Sequence, residues 1–137
     1  MRTIKFRGKN ICSDEWIYGT AVKTQIGDFI IAEDTPQNPH ICPQYGYMEV
    51  GEFAEVWSNT IGQFTSLYDK NGKEIYEGDI LDFNGIIIEV CFVRGVFALL
   101  CNGDLDEELC GDCRTDLFAK IIGNIYDNPE LLKGGKE

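Results

Sequence analysis

Hydrophobic and polar positions alternate with period two along most of this chain, which is the pattern of half-buried β-strands. In Thr3 to Arg7, Ile4 and Phe6 face one way and Lys5 and Arg7 the other, with Lys9 continuing the charged face. Trp16 to Lys23 places Ile17, Gly19 and Ala21 opposite Trp16, Tyr18, Thr20 and Val22. A turn at Ile26-Gly27-Asp28 leads into a third strand, Asp28 to Glu33, and the three form a meander. Residues 34–48 contain Pro36, Pro39 and Pro43, and Pro removes a ladder donor, so an irregular segment is expected there. Val50 to Trp57 resumes a strand, with Val50, Phe53, Val56 and Trp57 as its apolar positions.

The second half is punctuated more sharply. Thr60 to Tyr68 reads as a strand with Ile61 and Leu67 toward a core, and Glu74 to Tyr76 as its partner across Asn71-Gly72. Asn-Gly between β segments predicts a type I′ hairpin, whose central residues both need positive φ. Ile80 to Phe83 and Ile86 to Val93 flank a second such pair, Asn84-Gly85. Arg94-Gly95 then turns the chain into Val96 to Cys101. Residues 102–116 are acidic and read as a solvated loop, with at most a helical turn at Glu107 to Leu109. Leu117 to Ile122 is a last core strand. Asn128-Pro129 then opens a short helical turn, with Asn as cap and Pro at the first helical position.

The expected fold is mainly β. A small SH3-like barrel over about residues 60–127 packs with an N-terminal β meander, and a short helical turn ends the chain. The expected division is 1–58 for the meander with its Pro-rich loop, 59–133 for the barrel region, and 134–137 for a disordered tail.

Charge narrows the function. Twelve basic residues against 23 acidic ones give a net −11 over 137 residues, and 102–116 carries −5 of it. That balance opposes direct binding to nucleic acid or anionic membrane. No apolar run approaches the ~20 residues of a membrane span, and the N-terminus offers no signal-peptide core. The expected setting is the cytoplasm, where the six cysteines are free thiols by default.

One sequence stretch is far more specific than these patterns. Asp69-Lys70-Asn71-Gly72-Lys73-Glu74-Ile75-Tyr76-Glu77-Gly78-Asp79-Ile80 resembles the central motif of the YopX-type family of bacteriophage and prophage proteins. Ile4 to Lys9, Trp16 to Gly19, Thr60 to Thr65 and Ile122 to Leu132 resemble the same family's flanking segments. The resemblance implies a β-rich fold with an SH3-like barrel half and a phage origin, which makes the expected cytoplasm that of a bacterial host. It supplies no catalytic residues. Its motif positions, Asp69, Asn71, Gly72, Ile75, Tyr76, Gly78, Asp79, Gly123 and Asn124, are expected to be structural.

Cys110-Gly-Asp-Cys113 is the sharpest local chemical feature, because two thiols at this spacing can share a tetrahedral metal. A closed zinc site would draw Cys42 and His40 as further ligands. The His-x-Cys spacing argues against it, and free thiols are the simpler reading. A nucleobase deaminase needs Glu two residues after the His and Pro before the first Cys, and Cys42 and Leu109 stand there instead. His40 has no nucleophile signature nearby. Lys5, Arg7 and Lys9 could meet phosphates or an acidic partner, but edge-strand protection accounts for such a short row. Phe6, Trp16, Tyr18, Phe53 and Trp57 could line a peptide-binding groove, with Trp16, Tyr18 and Trp57 the partner-binding candidates, although aromatics in a β protein are mostly core and cross-strand pairs.

These residues point to a non-enzymatic phage accessory protein without a cofactor, acting by binding a host or phage protein. The alternatives are an acidic DNA mimic or nucleic-acid-associated factor in phage replication or counter-defence, and a zinc-stabilised domain or metal enzyme. Composition leaves the oligomeric state open.

Overall fold

A computed structural model describes residues 4–32, 47–48, 51–93, 95–101, 104–108 and 114–134. The chain is mainly β and divides into two compact units, Met1–Gln63 and Phe64–Glu137. None of the described helices is long and apolar enough to cross a membrane. The irregular segment expected at 34–48 lies almost wholly outside the described residues.

The first unit is an antiparallel sheet. Its strands are β1 (Phe6–Lys9), β2 (Trp16–Thr24), β3 (Gly27–Ala32), β4 (Tyr47–Met48), β5 (Gly51–Val56) and the opening residues of β6 (Gly62–Tyr68). They lie in the order β4-β5-β3-β2-β1-β6. Sequential hairpins build the meander: Thr24 pairs with Gly27 across the β2–β3 turn, and Asp28 to Ile31 pair with β5. Ile17, Ile30, Ala54 and Val56 are fully buried on one face, with Phe6, Ala21, Ala32 and Ile61 packed against them. Each large apolar side chain so buried contributes about 1.5–3 kcal/mol. Two glycines let the backbones approach. A Cβ at Gly19 would collide with the Ile31 carbonyl oxygen, and one at Gly8 would stand 2.9 Å from Val56 Cγ2.

The charged row of β1 is not an exposed edge. β1 pairs with β2 on one side, Arg7 opposite Tyr18 and Lys9 opposite Trp16. On its other side Phe6 and Arg7 pair with Gln63 and Gly62 of β6. Lys5 and Arg7 are only 7% and 6% exposed. The edge-protection reading is therefore corrected: period two identifies a charged face without revealing that this face is covered.

In the second unit, the remainder of β6 pairs with β7 (Glu74–Tyr76) through Phe64–Tyr76 and Tyr68–Glu74. Three residues of β6 stand opposite Ile75 alone, a bulge that places Ser66 at φ 72°. The remaining strands are β8 (Asp79–Phe83), β9 (Ile86–Val93), β10 (Val96–Cys101), β11 (Asp104–Glu108) and β12 (Ala119–Asn124). They form a five-stranded antiparallel sheet in the order β11-β10-β9-β8-β12. Its end strands do not pair with each other among the described residues, so the sheet is open and not a closed barrel. Ile75, Leu81, Ile88, Val90, Phe97, Leu99 and Ala119 form the buried core, joined by Leu67, Phe83 and Ile121.

Two local expectations change, and the expected short helix at the end is present. The acidic stretch is not only loop: β11 pairs with β10, Ala98 opposite Glu108 and Cys101 opposite Asp104. A one-turn helix, α1 (Thr115–Phe118), occupies the start of the expected last strand. The chain then closes on α2 (Glu130–Gly134), which lies against β9. Helical turns this short give no periodic signal in sequence.

Candidate functional site

The family-like motif occupies the β6–β7 turn and the entry to β8. Asp69 is 2% exposed. Its Oδ1 accepts from the backbone amides of Asn71 and Lys73, each at 2.9 Å. Its Oδ2 accepts from the amide of Ile121 at 3.0 Å. Three amide donors offset the cost of burying a carboxylate. The same loop is tied by the Gly72 amide to the Asp69 carbonyl at 3.0 Å and the Asp69 amide to the Lys73 carbonyl at 2.9 Å. Gly72 takes φ 81° while Asn71 has no positive φ. This is a three-residue loop, a turn closed by a left-handed glycine, and not the type I′ hairpin expected of Asn71-Gly72.

The second half of the motif is a tight corner. Gly78 at φ 96° donates its amide to the Val90 carbonyl at 2.8 Å and accepts from the Ile125 amide at 2.9 Å. Asp79, 2% exposed, uses Oδ2 to accept the Tyr76 amide at 2.7 Å. The Ile75 side chain is in the core, and the Tyr76 hydroxyl donates to Glu74 Oε1 at 2.9 Å. The Phe64 and Tyr76 rings lie 5.5 Å apart.

Gly123 and Asn124 repeat the strategy at the end of β12. Asn124 Oδ1 accepts the amides of Tyr126 at 3.0 Å and Asp127 at 2.9 Å, and its Nδ2 donates to Asp127 Oδ2 at 3.1 Å. Asn128 does not cap the last helix with its side chain as expected. Its Oδ1 instead accepts the Asn124 amide at 3.3 Å, and it would meet a Cβ at Gly123 at 2.5 Å. Thr65 and Thr115, which carry no sequence signal, do similar work. Thr65 Oγ1 donates to the Ile75 carbonyl at 2.8 Å, and Thr115 Oγ1 to the Tyr68 carbonyl at 2.9 Å.

The aromatic candidates separate. Trp16 and Tyr18 share one face of β2 and are half-buried. The Arg7 guanidinium carbon lies 4.5 Å from the Trp16 ring centroid and Lys9 Nζ 5.6 Å from it, within cation–π range. Trp57 is 50% exposed, and its backbone amide donates to the Lys9 carbonyl at 2.9 Å. A different apolar group, which strand periodicity does not single out, is exposed on the second unit. Tyr68, Ile86, Leu117 and Phe118 are 46%, 53%, 53% and 44% exposed. Thr115 ties α1 to Tyr68, and Phe118 precedes the row Ala119–Phe83–Ile86, so they gather toward one end of that sheet.

The candidate zinc ligands His40, Cys42, Cys110 and Cys113 lie outside the described residues. Among the described residues no three His, Cys, Asp or Glu side chains are placed to hold a metal ion. Cys91 and Cys101 are free thiols. Burial pushes the Cys91 thiol above its ordinary range, with Glu89 and Glu77 adding to the effect, and the thiol donates to the Ala98 carbonyl at 3.6 Å. A thiol held protonated is a poor nucleophile. Burial also raises the Glu89 carboxyl.

The fold as a whole has a solved relative. The crystal structure of protein EF1440 from Enterococcus faecalis matches with a TM-score of 0.60 at 27% sequence identity, over 96% of this chain and 99% of that one. No functionally curated protein matches the sequence. Residues 5–133 match the family described as YopX protein, and with nearly its whole length inside that match this chain belongs to the YopX family.

Proposed function

We propose that this protein is a non-enzymatic interaction module of phage or prophage origin that binds a host or phage protein in the bacterial cytoplasm. The observation that carries this reading is the exposed group Tyr68, Ile86, Leu117 and Phe118 on a unit that has a well-filled core of its own. Large apolar side chains gathered at a surface lower the free energy of association when a partner covers them. The motif residues supply a second support. Asp69, Asp79 and Asn124 direct their polar atoms at backbone amides, which is scaffold chemistry and not acid–base chemistry.

The test is capture from nuclease-treated and untreated host lysates by tagged protein and by the double variant Leu117→Glu/Phe118→Lys. Both substitutions are at exposed positions, so the fold is expected to survive. A protein retained by the native chain after nuclease treatment and lost by the double variant supports the reading. Retention that disappears with nuclease points to a nucleic-acid-associated role, and retention unchanged in the variant removes this surface from it.

A further inference from the structure

β12 is the end strand of the second unit's sheet, with β8 as its neighbour. An end strand presents alternate backbone groups that are open to pairing with another chain. In β12 two of those outward groups belong to Ala119 and Ile121. Neither is open. The Lys70 amide donates to the Ala119 carbonyl at 2.9 Å, and the Asp69 carboxylate accepts the Ile121 amide at 3.0 Å. One backbone N–H and one side-chain oxygen thus stand where a neighbouring strand would place its own N–H and carbonyl. Asp69 is held in this position by the Asn71 and Lys73 amides on its other oxygen.

We propose that the Asp69–Lys70 segment is a surrogate strand that caps β12 and keeps it from pairing with β12 of a second copy of this chain. The occupant follows from symmetry. Two uncapped β12 edges present identical groups, so an antiparallel, two-fold pairing satisfies both with the same reciprocal bonds. The segment therefore acts as an autoinhibitory contact on self-association, independent of the partner-binding role proposed above.

Asp69→Asn tests it. The amide side chain keeps one oxygen for the Asn71 and Lys73 amides but turns an N–H donor toward the Ile121 amide. In dilute solution, where the variant is a single chain, hydrogen exchange at Ile121 is expected to accelerate about tenfold. Sedimentation is expected to show a mass rising with concentration toward twice that of one chain. Lys70→Pro is the second variant. Proline suits the first central position of the turn, and it removes only the bond to Ala119. With Asp69 still on Ile121 it is expected to give a smaller rise in mass, and it decides the question where Asp69→Asn does not fold. A folded variant that keeps a single-chain mass at every concentration overturns the proposal. So does exchange at Ile121 that stays unaccelerated at concentrations where the variant is a single chain, or a native chain already paired through β12.

Discussion

The same dipeptide, Asn-Gly, turns the chain twice in the second unit and does so in two different ways. At Asn84-Gly85 both residues take positive φ, 55° and 91°, and Phe83 pairs directly with Ile86. That is the two-residue type I′ hairpin the dipeptide favours. At Asn71-Gly72 only the glycine is left-handed, and the loop spans three residues. The difference lies in the preceding aspartate. Asp82 Oδ1 accepts one amide, that of Gly85, at 2.8 Å in a solvent-exposed turn. Asp69 is buried and binds two amides of its own loop and a third on β12. A tertiary contact has overridden a strong local preference.

Replacing the two aspartates gives the largest contrast. Asp69→Ala leaves three part-buried amides without their acceptor and is expected to cost about 3–5 kcal/mol by denaturant unfolding. Asp82→Ala removes one exposed bond and is expected to cost about 0.5–1 kcal/mol. Equal losses at the two sites would contradict the roles assigned to them.

The asparagines should behave in the opposite order. Asn84→Ala puts an alanine at φ 55° and is expected to cost about 1 kcal/mol. Asn71→Ala, with no positive φ to support, is expected to stay within about 0.5 kcal/mol of the native chain. Thermal melts of both variants decide between this reading and a type I′ geometry at both turns.

Ser66 tests what a left-handed residue costs at the β6 bulge. Its φ is 72°, and its buried Oγ has no hydrogen-bond partner among the described residues. Ser66→Gly relieves both penalties against the added chain entropy of glycine. A net stabilisation of about 1 kcal/mol is expected. Loss of stability would mean that the hydroxyl is anchored.

The smallest effect is expected at Glu89, a carboxyl that burial discourages from ionising. Its folded-state pKa is raised, so the folded chain holds this proton more tightly than the unfolded chain does. The associated stability is fully present below the unfolded pKa and is lost as pH rises through the higher folded value. Glu89→Gln should flatten that part of the stability–pH curve in paired unfolding titrations. A slope unchanged by the substitution would assign it to another group.

Much of this organisation is legible in the residues. The strands of the second unit follow their alternation and β-branching closely, from Ile86 to Val93 and from Val96 to Cys101. The motif from Asp69 to Ile80 resembles the family's, and the match over residues 5–133 shows that the chain belongs to that family. Pattern alone cannot reveal that Lys5 and Arg7 are covered, because a charged alternating face looks the same in an end strand and in an interior one. Nor can it reveal β11, whose acidic residues have low strand propensity and pair only because β10 offers an edge. Leu117 and Phe118 fit the pattern of a core strand, and a single helical turn exposes them instead.

By itself the sequence determined the local terms: most of the strands, where glycine must sit, and which family the chain belongs to. These depend on period, turn chemistry and motif identity, all of which act over a few neighbouring residues. Only the tertiary structure decided which strand is an edge, which carboxylate is buried and which apolar side chains remain outside. Each of those depends on partners distant in sequence, as Asp69 depends on Ile121. The free energy of such a contact belongs to the pair, and neither residue declares it alone.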